Sequence, residues 1–351
     1  MTPNTPWLRT VQQFDDEAIA SVAVRLAPMG RIDVDRLLRL HLDMDKLSVS
    51  AIAARPTAIA ELAVLGSFDL ERLSAGTGKV FQDHTEFLGR QLPVGWFSPE
   101  RRRVAPARLA TDDENARIRN LWLLSAMPCD IETGEVLLDR CPSCLALLGW
   151  SKISNIWSCQ VCEYDLRTAA PRSCPPQTVD AARELARYIF DHGLRLPFPL
   201  GELPSLDLLK LAGWLAHFRA IPQELYLGIT AKNAATGFSQ LKRWPLAFDE
   251  IVFALLGASA PDDLAVGDVI SRYTAAAGLM TSIDRLPSTK ARAIVKARLM
   301  ELLGLAHGFA EAFQKVTEPV LPLGIAISGL DRRRLSKRAR TRIERGLALP
   351  D

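Results

Sequence analysis

The sequence predicts a mainly α-helical protein that contains one small β module. Apolar residues recur at three- and four-residue steps in short segments along most of the 351-residue chain, as on the buried faces of helices. The exception is a stretch that carries two Cys-x-x-Cys pairs, Cys141 with Cys144 and Cys159 with Cys162. Two such pairs at this separation are typical of a small β zinc ribbon, so we expect helical parts on either side of a zinc-ribbon module.

The N-terminal region is predicted to hold three or four short helices. One begins at the acidic run Asp15 to Glu17 and ends at Gly30, and others cover 33–42 and 56–65, with a short helix from Ser67. Short helices joined by tight turns are compatible with a helix-turn-helix unit, and equally with a plain helical bundle.

The C-terminal region is predicted to be helical again. A linker with Pro171, Pro175 and Pro176 precedes it, and the lone Cys174 in that linker is expected to be a free thiol. Segments with helical periodicity lie at 178–190, 205–218, 233–241, 246–256, 262–280 and 288–306. The last two have helix-turn-helix dimensions.

These features predict three regions in the chain. Residues 1–100 form an N-terminal helical, helix-turn-helix-like region, and residues 101–170 form the zinc-ribbon region. Residues 171–351 form a C-terminal helical, helix-turn-helix-like region that ends in a basic tail.

The four paired cysteines are predicted to bind one structural Zn²⁺. Four thiolates close a tetrahedral site and leave no position for water or substrate, so such a site supports the fold rather than catalysis. Two disulfides, four unrelated core cysteines and a thioredoxin-like redox motif are the alternatives; the last would use a single Cys-x-x-Cys at a helix start. The predicted ligands are Cys141, Cys144, Cys159 and Cys162.

Composition argues against an enzyme and against a membrane protein. Five scattered histidines and a closed four-cysteine site offer neither a nucleophile with its base nor an open metal site. Gly76-Thr77-Gly78-Lys79 is not a phosphate loop, because Val80 follows where Ser or Thr is required. The sequence has no apolar run of about 20 residues and an acidic N-terminus unlike a signal peptide, so we expect a cytoplasmic protein.

Positive charge is concentrated in two segments that are candidates for contact with DNA phosphates. The formal net charge is only +3, but a run of arginines precedes the zinc module and the C-terminal segment 331–351 is the most basic part of the chain. A solvated charge run and a disordered tail are the alternatives. The candidate phosphate contacts are Arg101, Arg102, Arg103, Arg332, Arg333, Arg334, Lys337, Arg338 and Arg342.

With these residues in view, the chain resembles the TniQ/TnsD family of transposition proteins. Ser21, Arg25, Leu26 and Ala27 match the family's opening segment, although the family's tryptophan is absent there. The stretch 101–122 resembles the family's Arg-Val-Cys-Pro-x-Cys-Leu segment followed by Arg-x-x-Trp. The two Cys-x-x-Cys pairs, with Trp150, Trp157 and the Asp165-Leu166-Arg167 ending, resemble the family's last zinc module. We expect the two tryptophans to pack beside the metal rather than to stack on bases.

The chain departs from the family at an earlier zinc site. The resemblance implies ligands where this sequence has Ala105, Arg108 and Glu132, and of that site only Cys129 remains. One thiolate with a nearby carboxylate is a poor zinc site, so we expect this site to be empty and its surroundings to be held by packing. An ion pair from Arg108 to Asp130 or Glu132 is a candidate replacement.

The resemblance implies a non-catalytic DNA-binding adaptor that selects a target site and recruits an AAA+ transposition ATPase. Its implied partners are double-stranded DNA and that ATPase; an RNA-guided complex and a second copy of the chain are further candidates. The alternative is a zinc-ribbon transcriptional regulator or a protein–protein scaffold, which would share the metal site without the transposition ATPase.

Overall fold

The computed structural model describes residues 6–45, 48–191, 194–220, 234–256, 279–286 and 288–305. Its helices are α1 (Ile19–Leu26), α2 (Val34–Arg36), α3 (Pro56–Gly66), α4 (Leu70–Ala75), α5 (Pro106–Asp112), α6 (Pro176–Phe190), α7 (Ser205–Ala220), α8 (Ala234–Lys242), α9 (Leu246–Leu256) and α10 (Thr289–Leu305). Shorter 3₁₀ segments lie at Ala27–Gly30, Val49–Ala54, Asp113–Asn115, Asn120–Leu123, Leu166–Thr168 and Leu200–Glu202, and a π-helical turn lies at Leu37–His41.

The predicted fold class is confirmed: the protein is mainly helical, with a small antiparallel sheet and a cluster of four cysteines. No helix within the described residues combines the length and the apolar character that a bilayer crossing requires.

The three-stranded sheet lies before the cysteine pairs, where no strand was predicted. Strand β1 (Lys79–Val80) pairs with β2 (His84–Phe87), which pairs in turn with β3 (Arg90–Pro93), all antiparallel. Leu88 and Gly89 both have positive φ, so they form a two-residue turn of the kind that matches the twist of a hairpin. The alternation of apolar and polar residues in these strands is too short to stand out in the sequence.

Helix α1 forms the centre of the N-terminal region. All of its residues except Arg25 are buried, and its first turn is preceded by a hydrogen bond from the Ala18 amide to the Ile118 carbonyl, 2.8 Å long. The helix begins at Ile19 and not at Asp15, where it was predicted to begin. Of the acidic residues before it, Asp15 and Asp16 form ion pairs with other segments, and Glu17 pairs with Arg25 in the last turn of the helix.

Helices α3 and α4 have the dimensions predicted for a helix-turn-helix unit. Only residues 67–69 separate them; Ser67 is left-handed (φ 52°) and Asp69 caps α4 by accepting a hydrogen bond from the Arg72 amide. The helix therefore starts after the Asp69 cap and not at Ser67, where it was predicted to start. DNA binding by this pair stays a prediction.

In the C-terminal region α6, α7 and α8 pack together. The α7–α8 contact is close because α8 presents Gly237 to the backbone of α7: a Cβ at this position would lie 1.9 Å from the Ala212 oxygen. Tyr188 of α6 and Phe238 of α8 bring their ring centroids to 4.9 Å. The Trp214 indole of α7 donates to Ser282 Oγ over 3.0 Å.

The chain divides into two compact units, one of Met1–Ile251 with Ser282–Val295 and one of Val252–Thr281 with Lys296–Asp351. The first unit contains the sheet, the cysteine cluster and helices α1 to α8. In the described part of the second unit, Arg298 pairs with Glu301 one turn later at 2.7 Å. The predicted boundaries at residues 100 and 170 fall inside the first unit and stay a prediction.

Candidate metal centre

The two Cys-x-x-Cys pairs come together in one cluster, as predicted. The sulfur atoms of Cys141, Cys144, Cys159 and Cys162 all lie within 4.8 Å of one another. The Cys141–Cys162 and Cys144–Cys159 sulfur separations are both 3.7 Å. Zinc–sulfur bonds of about 2.3 Å at tetrahedral angles require sulfur separations of about 3.8 Å, so these two pairs have the spacing of ligands on one tetrahedral ion. The distances do not fit disulfides, and all four cysteines are free thiols.

Two matched turns aim the sulfurs at one point. In each pair the amide of the residue after the second cysteine donates back to the carbonyl of the first cysteine: Leu145 N donates to Cys141 O over 2.9 Å, and Glu163 N donates to Cys159 O over 3.0 Å. Leu145 and Glu163 are both left-handed, with φ of 60° and 59°. Each turn is closed by a single antiparallel bridge, Arg140 with Leu147 and Ser158 with Asp165. The ribbon therefore consists of bridges rather than extended strands.

The surroundings of Cys159 favour its thiolate. Burial raises the pKa of this thiol, but hydrogen bonds from the backbone amides of Cys162 and Val161 and from the Cys141 and Cys144 thiols outweigh burial and lower the pKa to about 7. Because the thiolate is the metal-binding form, the lowered pKa of Cys159 favours metal binding near neutral pH.

The two tryptophans between the cysteine pairs pack within the module, as predicted. Trp150 is buried, and its indole N–H donates to Pro99 O over 2.9 Å. The Arg167 guanidinium lies over the Trp157 ring, 4.6 Å from its centroid, and is held there by Asp165 at 2.7 Å. The Asp165-Leu166-Arg167 ending thus covers one tryptophan and closes the second turn.

At the position of the family's earlier zinc site, the structure shows an ion pair in place of ligands. Arg108 pairs with Glu132, one of the two carboxylates predicted for it, and also with Asp112 at 3.2 Å. Asp130 instead accepts a hydrogen bond from the Trp122 indole at 3.0 Å. Ala105 is buried and provides no ligand atom.

Cys129, the remnant of that earlier site, is buried beside Cys174. Burial raises the pKa of Cys129 to about 12. The Cys174 thiol contributes to this rise through electrostatic repulsion and a hydrogen bond. Cys174 was predicted to be a free thiol, and it is one, but its partner in space was not apparent from the sequence.

The residues that match the family's opening segment join α1 to the segment 117–119. Ser21 Oγ donates to Glu17 Oε1 over 2.6 Å and accepts from the Ile118 amide over 3.0 Å. Arg25 pairs with the other Glu17 oxygen at 2.6 Å. Burial raises the pKa of Glu17 to about 7, although Arg25, Ser21 and Arg117 all lower it.

A second polar cluster surrounds Asp112, at the end of α5. Its carboxylate pairs with Arg119 at 2.8 Å, with Arg108 at 3.2 Å and with Arg117 at 3.9 Å. Arg119 and Arg117 also pair with Asp16, at 3.2 and 2.8 Å. The Arg-x-x-Trp pattern of the sequence is therefore part of the interior rather than of a binding surface.

Two of the three arginines before the zinc module are not available to DNA, which corrects their prediction as phosphate contacts. Arg102 is fully buried, and its guanidinium donates to the Ile156 and Ser158 carbonyls. Arg103 donates to the Leu124 carbonyl over 2.7 Å and to two further carbonyls of the same segment. Only Arg101 is exposed. A run of identical residues does not reveal by its composition which side chains turn inward.

The other predicted phosphate contacts, Arg332, Arg333, Arg334, Lys337, Arg338 and Arg342, lie outside the described residues.

The comparisons agree with the N-terminal part of this description. Residues 8–133 match the model of the TniQ family, and this range includes α1, the sheet and both polar clusters. The cysteine cluster follows directly after the matched range. No curated protein matches the chain.

Proposed function

Since the chain belongs to the TniQ family through its residues 8–133, we propose that it is a non-catalytic DNA-binding adaptor in DNA transposition. In this proposal it selects the target site and recruits an AAA+ transposition ATPase, and it acts in the cytoplasm. The family match is the observation that carries the proposal. The partners are double-stranded DNA and the ATPase, with an RNA-guided complex and a second copy of the chain as further candidates.

We further propose that the cysteine cluster binds one structural Zn²⁺. The sulfur separations of 3.7 Å match a tetrahedral ion, and four thiolates leave it no open position for catalysis. When bound, the ion would fix the two turns to each other. The ligands are Cys141, Cys144, Cys159 and Cys162.

For DNA, the proposed contacts are the exposed Arg101 and the basic C-terminal segment. The intact protein and a truncation after Gly329 should be compared for binding to a labelled duplex across salt concentrations. Each phosphate contact contributes a slope of about −0.9 in log affinity against log salt, so losing the six proposed contacts of the tail should reduce the slope by about 5. Unchanged affinity and slope in the truncation would remove the tail from the proposal.

The adaptor role is tested by capture of an AAA+ transposition ATPase. We expect the immobilised full chain to retain the ATPase, and more of it when target DNA is present. Failure to retain it under both conditions would contradict the adaptor proposal.

One observation favours the second candidate, a protein–protein scaffold. Leu145 and Val161, one on each cysteine turn, are 68% and 64% exposed, which is unusual for apolar residues in so small a module. A scaffold would bind a protein partner through this module without retaining the duplex. Duplex binding that survives in the presence of competing non-specific DNA would argue against it.

A further inference from the structure

Arg102 is one of the largest fully buried side chains in the described part of the protein. A buried guanidinium loses its hydration and is tolerated when its donors and its charge are compensated. Its Nη atoms donate to the Ile156 carbonyl over 3.1 Å and the Ser158 carbonyl over 2.7 Å. Its Nε has no hydrogen-bond partner among the described residues. The neutral carbonyls satisfy part of the hydrogen bonding but not the charge.

No carboxylate among the described residues pairs with Arg102. Its guanidinium instead lies beside the cysteine cluster, hydrogen-bonded to Ser158 and Gln160 on either side of Cys159. Burial lowers the pKa of Arg102 to about 10, and the Cys159 and Cys141 thiols act against this shift. Arg103 beside it differs, because Asp139 acts on it.

The contacts of Arg102 also tie it to both cysteine turns. Its backbone amide donates to the Leu148 carbonyl over 3.1 Å, next to the first turn. On the second turn it contacts Ser158 and Gln160, the residues on either side of Cys159; the distance from Nη2 to Gln160 Oε1 is 3.2 Å. A displacement of this guanidinium would therefore move a ligand of the proposed metal ion.

A divalent ion bound by four thiolates has a net charge of −2. In a partly buried site this charge is stabilised by a fixed cation nearby, and groups that orient the ligands contribute to metal affinity. We propose that Arg102 is the counter-cation and positioning residue of the metal–tetrathiolate centre, so that it stabilises the metal-bound state more than the metal-free state. This proposal depends on the metal assignment made above.

The test measures zinc binding rather than DNA binding. Full-length wild-type protein, R102M and R102K are titrated with Zn²⁺ against a chromophoric chelator, and Co²⁺ is used as a spectroscopic probe of four-sulfur coordination. We expect R102M to bind Zn²⁺ roughly 10–100-fold more weakly, as is typical when an outer group of a metal site is lost. R102K should fall between R102M and wild type, because it keeps the charge but not the planar fork of donors.

The matched control is R187M. Arg187 is exposed on α6 and lies outside both cysteine turns, so the same change in net charge should alter zinc affinity less than about threefold. If R102M does not fold, the rate of zinc release from R102K is compared with that from wild type. Release at least about threefold faster from R102K supports the proposal.

Wild-type zinc affinity in R102M, or wild-type release in R102K, would overturn the proposal. So would an equal loss of unfolding free energy by R102M in the zinc-loaded and zinc-free proteins, because Arg102 would then support the fold without favouring the metal. If wild-type protein binds no Zn²⁺ and gives no four-sulfur Co²⁺ spectrum, the metal assignment itself fails, which is a distinguishable result.

Discussion

At the scale of single residues, the polar side chains that carry the family pattern act inside the protein. Ser21 and Arg25 hold the buried carboxylate of Glu17, and Arg119 pairs with Asp112 and Asp16. Buried charged groups are destabilising unless paired, so each of these residues depends on its partners. Their recurrence in the family pattern has a structural explanation in this chain that requires no contact with DNA.

Glu17 should make the stability of the protein depend on pH. Its pKa is about 7 in the folded protein, above its ordinary value of 4.5, because burial outweighs Arg25 and Ser21. The stabilisation from this raised pKa is fully present below pH 4.5 and is lost as the pH rises through about 7. At about 1.4 kcal/mol per pKa unit the loss amounts to roughly 3 kcal/mol.

In E17Q the side chain stays neutral, so this part of the pH dependence should disappear. Urea unfolding of wild type and E17Q between pH 4.5 and 8 measures it. D35N removes an exposed carboxylate of α2 and serves as the control. Parallel curves for wild type and E17Q would show that Glu17 has no such role.

Asp112 and Glu132 should differ in their importance for stability, although both pair with Arg108. Asp112 is 10% exposed and contacts three arginines, so D112A should lower the free energy of unfolding by about 3 kcal/mol. The Arg108–Glu132 pair is partly exposed to solvent, and the Glu132 side chain is 56% exposed. E132A should therefore lower the free energy of unfolding by no more than about 1 kcal/mol. Chemical denaturation of both variants checks the order; equal losses would contradict it.

At the scale of elements, close approach between helices depends on single positions. Gly237 lets α8 approach α7 so closely that an added Cβ would meet the Ala212 oxygen at 1.9 Å and the Ala216 amide nitrogen at 2.9 Å. Both atoms belong to the backbone of α7. The two helices would therefore have to move apart to make room for a Cβ at position 237.

G237A should therefore destabilise the protein, although alanine is the better helix former. We expect a loss of about 2 kcal/mol or more, in the range of overpacked cores, against a gain of less than about 1 kcal/mol from helix propensity. G149A is the control, because a Cβ there would meet its nearest neighbour only at 3.9 Å. Thermal unfolding of the two variants would refute the expectation if G237A were as stable as G149A.

At the scale of the whole molecule, the part matched to the family and the cysteine cluster should respond differently to metal removal. The position of the earlier zinc site is held by the Arg108–Glu132 pair and by buried residues such as Ala105 and Trp122. The cysteine cluster has four thiols directed at one point and needs an ion to hold them together.

We expect one Zn²⁺ per chain in the purified protein, bound through the cluster. C159S should lose the ion and melt at a lower temperature, whereas C174S, a change in a thiol outside the cluster, should keep both the ion and the melting temperature. Chelation of wild type should leave most of the far-ultraviolet helical signal. Zinc analysis and circular dichroism measure these outcomes, and retention of zinc by C159S would contradict them.

The spacing of the cysteine pairs was enough to predict that four sulfurs meet, because two short turns of the same kind bring their sulfurs to one side whatever surrounds them. Helical periodicity located α3, α8 and α9 closely. The replacement of a ligand by Arg108 predicted an ion pair to Asp130 or Glu132, and the structure shows the pair to Glu132. These are local properties, or properties of residue pairs whose chemistry leaves few partners.

Only the tertiary structure decided which charges are inside. Arg101, Arg102 and Arg103 are identical in the sequence, yet one is exposed and the other two serve as donors to interior carbonyls. The acids at 15–17, interpreted as a helix start, pair with arginines up to about a hundred positions away. Burial depends on how distant segments pack, and a run of identical residues carries no information about that packing.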